Sequence, residues 1–478
     1  MLRRTKIVVT LGPATDDPAV LAEILRAGAN VVRVNFSHGT ADDVERRVAL
    51  VRNVAAGLGR DVGILGDLRG PKIRTRRFAD GSVELSRGDR FVLDVSLGED
   101  AGTAAGVGVT YPKLAQDVSA GDTLLLDDGH IVLDVEAVEG PRVICRVNAG
   151  GRLSNAKGIN RQGGGLSAAA LTEKDCEDIR TAAALELDYL AVSFPREAAD
   201  IELARRLFRE AGGEGRIVAK IERAEAVQNI ESIIDASDVI MVARGDLGVE
   251  VGYAELTGLQ KRIIRLTRTH NRIVITATQM MESMVNSPIP TRAEVSDVAN
   301  AVMDGSDAVM LSGETAIGRY PVKAVEAMAE VCRGAEKHQL PRGRSSHRMD
   351  DSFRHIDEAI AMAVMYTANH LNVSAIIALT ESGSTALWMS RIRSDIPIYA
   401  FTRHEATRRR VTLYRGVYPV PFDIVHTEAQ LVYQAIFDQL LDHELVNVGD
   451  LVVFTKGDLK GVAGGTNAMK ILKVTDGR

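Results

Sequence analysis

Eight times along this chain a short β-branched run ends in polar residues and an amphipathic helical pattern follows. The runs are Ile7–Thr10, Val31–Asn35, Val62–Asp67, Tyr189–Ser193, Ile217–Glu222, Val239–Asp246, Ile273–Thr278 and Ala308–Ser312. Near-continuous apolar strands alternating with helices require a parallel sheet covered on both faces. Eight such units make a (β/α)8 TIM barrel, which needs about 250 residues. They fall in two stretches, residues 1–71 and 168–338, that together approach that length. The expected fold class is α/β.

The intervening residues 72–167 read differently. Alternating runs at Val83–Leu85, Arg90–Leu93, Thr123–Leu126, Ile131–Val135 and Val143–Val147 are broken by the turn signals Asp127-Asp128-Gly129 and Glu139-Gly140-Pro141. This pattern predicts a small β-barrel inserted after the third barrel strand. Helix resumes at Thr172, a capping residue with Asp175 three positions on. The polar stretch Gly334–Arg354 suits a connector, with residues 339–354 as the linker proper. A second α/β alternation fills residues 355–478: helices from Ile356, Ser384, Glu405 and Thr427, and strands at Ala375–Thr380, Ile396–Phe401, Leu451–Thr455 and Met469–Val474. It predicts a smaller, doubly wound C-terminal α/β domain.

Composition narrows the function classes. With a net charge of −6, the chain has no basic excess calling for nucleic acid or an anionic membrane surface. No apolar run reaches the roughly 20 residues of a membrane helix. The apolar run after Arg3, Arg4 and Lys6 stops at Gly12-Pro13, too early for a signal peptide, and reads as a first buried strand. Cys145, Cys176 and Cys332 are far apart and odd in number, so a disulfide framework is not expected and a reducing, cytoplasmic location is.

Barrel chemistry belongs at the C-terminal strand ends. The second strand delivers Arg33, Asn35, Ser37 and His38; the third Asp67, Arg69, Lys72 and Arg74; the fifth Lys220 and Glu222; the sixth Arg244, Gly245 and Asp246. Thr278 and Gln279 end the seventh, and Ser312 and Glu314 the eighth. Residues two apart on a strand share a face, so Lys220 and Glu222 point together. Two carboxylates, Glu222 and Asp246, plus substrate oxygens and water suit Mg²⁺ (or Mn²⁺), which rarely takes an all-protein cage. Arg33 and Lys220 then serve a phosphoryl group. Any one of these residues alone reads equally well as a strand-end ion pair; their convergence favours chemistry. Neither a Walker A sequence nor the protein-kinase H-R-D and D-F-G set occurs, so a nucleotide must be held otherwise.

The blocks TKIVVTLGPAT, RVNFSHGT, DLRGPKIRT, VAKIERAEAV, MVARGDLGVE, TATQMMESM, PTRAEVSDVANAV and LSGETAIGRYP resemble those of pyruvate kinases, in that family's order and over nearly the whole chain. SFPRE, IERAEAV and MMESM look most like the bacterial type II branch. The resemblance implies phosphoryl transfer from phosphoenolpyruvate to ADP, giving pyruvate and ATP. It implies that Arg33 and Lys220 hold the phosphate and that Glu222 and Asp246 bind Mg²⁺. Gly245, Asp246 and Thr278 would contact the substrate carboxylate. Asn35, His38, Arg74 and Lys157 would face the nucleotide, with the insert closing as a lid. It also implies a homotetramer. The loop Thr380-Glu381-Ser382-Gly383-Ser384-Thr385, with Lys460 as a second contact, would take an allosteric phosphorylated effector, here a sugar monophosphate or AMP.

The chain departs from the family pattern in two places that bear on function. The family's Asn-Leu-Pro-Gly hinge turn is replaced by Asn160-Arg161-Gln162-Gly163, followed by Gly164 and Gly165. Many members bind K⁺ through groups matching Asn35, Ser37, Asp67 and the Leu68 carbonyl, with Glu in the Gly-Pro-Glu-Ile-Arg block; here Lys72 stands there. An ammonium in place of a carboxylate implies that K⁺ is not required. The helical run Arg408–Arg410 reads as a solvated or interface face, and Trp388 as packing. Two competing readings are a Mg²⁺-dependent barrel aldolase or lyase, which needs no lid or Arg74, and a non-catalytic sensor, which predicts loss of Lys220, Glu222, Asp246 or Thr278; all four are present.

Overall fold

The computed structural model describes residues 2–338, 353, 355–424, 428, 431–457 and 465–476. Eight parallel strands close into a barrel: Lys6–Thr10, Val31–Asn35, Gly63–Asp67, Tyr189–Val192, Arg216–Ile221, Val239–Ala243, Ile273–Ala277 and Ala308–Leu311. Each pairs with its sequence neighbour and the last pairs with the first. Six of the eight are buried at every position, as strands packed on both faces must be. Helices start where capping chemistry dictates: Thr40 with Asp43, Thr172 with Asp175, and Thr291 with Glu294 form reciprocal boxes that satisfy the first free amides.

The insert, expected as a small β-barrel, is a six-stranded sheet plus the two-stranded ladder Ser82–Leu85 with Gly151–Ser154. Both surround one core that includes Phe91, Leu93, Leu133 and Cys145. It leaves the barrel at Gly70, whose φ of +65° turns the chain. A side chain there would strike Ser193 and Phe194, so glycine serves for both conformation and space.

The last barrel helix, Pro321–His338, absorbs the first residues of the expected connector. The C-terminal sheet has five strands in the spatial order Val417–Pro421, Ile398–Thr402, Ala375–Leu379, Leu451–Gly457 and Thr466–Lys473, the last antiparallel. The sequence reading missed Val417–Pro421 because Pro419 and Pro421 disguise it; prolines are tolerated here because the strand lies at the sheet edge. Thr427 lies outside the described residues; the helix expected from it runs over Val432–Asp442.

This domain seals the N-terminal end of the barrel. Barrel residues Val8, Leu65, Tyr189 and Met241 share one apolar cluster with Met365, Ile376 and Leu413. The Arg408–Arg410 face is an intramolecular interface: Arg408 pairs with Asp61 at 3.1 Å and Arg409 with buried Asp188 at 3.0 Å. Arg391 grips Asp307 with both partners buried. Trp388 packs as expected and also donates its indole N–H to Asp357 at 3.2 Å. With the floor closed, the C-terminal strand ends form the barrel's one open end.

Candidate active site

The open end gathers a charge network. Lys220 Nζ lies 2.9 Å from Glu222 Oε1, 3.3 Å from Asp67 Oδ1 and 2.7 Å from Ser193 Oγ. Arg33 Nε lies 2.6 Å from Asp67 Oδ2, and its Nη1 donates to Thr10 Oγ1. Asp67 thus sits between two cations. Burial alone would raise its pKa, but Lys220 and Arg33 outweigh that and hold it below the usual carboxylate range. Burial likewise works against the Lys220 ammonium, and Asp67 and Glu222 keep it charged. Glu222 is pushed up, first by burial and then by Asp246 and Asp67, with Lys220 opposing. Glu222 and Asp246 are each paired with an ammonium, Lys220 at 2.9 Å and Lys72 at 3.2 Å. Two carboxylates at an open strand end are a donor set that a divalent cation bound mainly by substrate oxygens and water can accept.

Thr278 is held by unusual backbone geometry. It and Gln279 have φ of 65° and 52°, sparsely populated for side-chain-bearing residues. Arg244 fixes them: its Nη2 donates to the carbonyls of Thr278 at 2.8 Å and Gln279 at 3.0 Å, while Nη1 pairs with Asp297 at 2.7 Å. The Thr278 hydroxyl accepts from the Gly245 amide at 2.8 Å. Two of the three expected carboxylate contacts, Gly245 and Thr278, are thus side by side and already hydrogen-bonded to each other.

On the opposite rim, Asn35 Oδ1 accepts the Ser37 amide and orders the loop to His38. Burial and then the cations Arg33, Arg74 and Arg69 push the His38 pKa down. Arg74 Nη1 is buried without a hydrogen-bond partner, an unmet donor facing the need of an anion. Lys157 remains on the insert, its ammonium 2.8 Å from Asp127.

The Lys72 ammonium pairs with Asp246 at 3.2 Å, not with Asp67 or Asn35, while the Leu68 carbonyl takes the Ser193 hydroxyl at 2.7 Å. The sequence reading gave no role to Ser193, Thr10 or Arg244. Each stands at or just past a barrel strand end, which is the one signal that marked them.

The family model "Pyruvate kinase, barrel domain" matches residues 2–325, and "Pyruvate kinase, alpha/beta domain" matches 358–472. The chain belongs to the pyruvate kinase family. It is 57% identical to pyruvate kinase II of Salmonella typhimurium, over 99% of both chains. It is 55% identical to the pyruvate kinase of Haemophilus influenzae, over 95% of this chain and 96% of that one. The crystal structure of a pyruvate kinase from Cryptosporidium parvum superposes with a TM-score of 0.93 at 33% identity, covering 99% of this chain and 96% of the other. The type II resemblance and the enzyme class read from the sequence stand, and the aldolase and sensor readings fall. No described helix is long and apolar enough to cross a membrane.

In the C-terminal domain the loop expected to take an effector is internally satisfied. Thr380 Oγ1 accepts the Gly383 amide at 2.9 Å, Ser382 Oγ lies 3.2 Å from Ser384 Oγ, and Thr385 Oγ1 bonds Thr466 Oγ1 at 2.7 Å. Lys460 lies outside the described residues.

Proposed function

We propose that this pyruvate kinase transfers the phosphoenolpyruvate phosphoryl group to ADP across the Arg33–Asp67–Lys220–Glu222 network, with Mg²⁺ (or Mn²⁺) held by Glu222 and Asp246. The network itself supports this most directly: Arg33 and Lys220, both part-buried, converge on buried Asp67, and a divalent cation drawing Glu222 away from Lys220 would leave that ammonium to meet a phosphoryl group. Phosphoryl transfer asks chiefly for positioning and charge neutralisation. Mg²⁺, when bound, supplies divalent charge to the substrate oxygens. Lys220, braced by Ser193 and Asp67, follows the charge that moves in the transition state, and Arg33, braced by Asp67 and Thr10, anchors the donor. Thr278 and the Gly245 amide orient the substrate carboxylate, with Arg244 holding the Thr278 turn in register. Asn35, His38 and Arg74 take the nucleotide phosphates, and Lys157 joins them when the insert closes and excludes water.

In the same reading Lys72 replaces the monovalent cation. Its ammonium lies against Asp246, so it neutralises charge from the metal side of the cluster rather than beside Asn35, Ser37, Asp67 and Leu68. The enzyme is cytoplasmic, assembles as a homotetramer, and is activated by a sugar monophosphate or AMP at Thr380–Thr385. A coupled assay with phosphoenolpyruvate, ADP and Mg²⁺ tests the core of this. Lactate production that vanishes with EDTA and returns with Mg²⁺ is expected; full activity in EDTA would overturn the metal assignment.

A further inference from the structure

The insert returns to the barrel through the stretch where the sequence departs from its family, and that stretch rests on two carboxylates. Asn160, on the last insert strand Ile159–Arg161, donates from Nδ2 to Glu250 Oε1 at 3.3 Å. The other oxygen of Glu250 accepts the Ala224 amide at 3.0 Å, and its backbone carbonyl accepts the Gly163 amide at 2.9 Å. One step on, Gly165 donates to Glu225, and a side chain at Gly164 would collide with that same carboxylate. Buried Arg223 donates to the Leu166 carbonyl at 3.0 Å. At the far edge of the insert, Tyr253 donates to the Asp128 carbonyl at 3.2 Å.

What Glu250 joins is informative. It lies in the helix Arg244–Val251, one turn after Asp246. Ala224, which it caps, lies two residues after Glu222. A cavity of about 20 Å³, room for a single water, separates it from Asp246 and is also lined by Asn160, Lys72 and Arg223. One buried side chain therefore contacts the returning insert strand and both segments that carry the metal carboxylates.

We propose that Asn160 and Glu250 are positioning residues: their hydrogen bond latches the insert onto the segments bearing Glu222 and Asp246, so that lid position and metal-site geometry change together. The proposal rests on the insert acting as a closing lid. The Gly163–Gly165 run, held by Glu250 and Glu225, is then the barrel-side anchor of the hinge, and the Asn160–Glu250 contact is the stop for the strand that leaves it. Burial and Glu225 push the Glu250 pKa up to about 7, with the Ala224 amide, Arg223 and Asn160 opposing, so the pair tolerates little added negative charge.

The test exchanges the charge across the latch. Asn160→Asp sets two carboxylates against each other, and Glu250→Gln in that background restores one amide and one carboxylate. Cleavage by trypsin after Arg161 and amide exchange at Gly163 and Gly165 report hinge opening, measured with and without phosphoenolpyruvate, Mg²⁺ and ADP. The single variant is expected to lose about tenfold or more in kcat/KM for ADP at pH 8 and to be cut faster. Its defect should shrink below about pH 6.5 as the pair takes up a proton. The double variant should return within about threefold of wild type in both readouts. Equal damage in single and double variants, or a single variant indistinguishable from wild type, overturns the latch. Should Asn160→Asp not fold, Asn160→Ala removes the donor without adding charge, and unchanged cleavage in it overturns the latch as well. Wild-type hinge amides that do not respond to ligands at all would instead refute the lid reading beneath it.

Discussion

Lys72→Glu reverses a charge 3.2 Å from a carboxylate assigned to Mg²⁺. At an effective dielectric of 20, Coulomb's law gives about 5 kcal/mol for unit charges at that separation. The pair is partly exposed, with side-chain exposures of 31% for Lys72 and 22% for Asp246, so screening reduces the realised interaction to about 1–2 kcal/mol. Reversal replaces this attraction by a comparable repulsion. The swing of about 2–4 kcal/mol should therefore cost roughly 30- to 700-fold in kcat at low monovalent salt, by the usual factor of ten per 1.4 kcal/mol. A monovalent cation recruited by the new carboxylate should recover most of it. The assay is lactate-dehydrogenase-coupled turnover at saturating Mg²⁺, in KCl against tetramethylammonium chloride at equal ionic strength. Wild type should change less than about twofold between the two salts, and Lys72→Glu by tenfold or more. A wild-type enzyme stimulated tenfold by K⁺, or a Lys72→Glu variant indifferent to it, would refute the reasoning.

Lys220→Met should cut kcat by about 10³-fold or more while phosphoenolpyruvate affinity, read by titration calorimetry, stays within about tenfold, because the ammonium matters most as charge redistributes. Lys6 is buried and its pKa is lowered to about 7, chiefly by burial and then by Arg3. The unfolded chain therefore binds the extra proton between about pH 7 and 10.4, and stability should rise with pH through that window by up to about 1.4 kcal/mol per unit; Lys6→Met should flatten the rise in denaturant melts. Ribose 5-phosphate, glucose 6-phosphate or AMP should activate more strongly than fructose 1,6-bisphosphate, and Ser384→Asp should abolish the response; preference for the bisphosphate would contradict the effector assignment. Sedimentation velocity at micromolar concentration should show a tetramer, and monomers alone would count against it.

The sequence by itself determined the elements whose causes are local. Continuous β-branched runs imposed the barrel strands, and the reciprocal boxes at Thr172–Asp175 and Thr291–Glu294 started helices wherever the chain went next. Alternation along one strand was enough to put Lys220 and Glu222 on the same face, and they meet at 2.9 Å. What needed the tertiary structure were the pairings between residues far apart in sequence. Nothing near Lys72 announces Asp246, 174 positions on, as its partner. Ser193 and Arg244 look ordinary until Lys220 and the Thr278 carbonyl close on them. The proline-bearing strand Val417–Pro421 is a strand only because it lies at an edge where missing amides cost nothing, and Arg409 became an interface residue only when Asp188 came beneath it. Local propensity acts over a few residues, whereas electrostatic partners and sheet edges are settled by which distant segments the closed barrel brings within a hydrogen bond of one another.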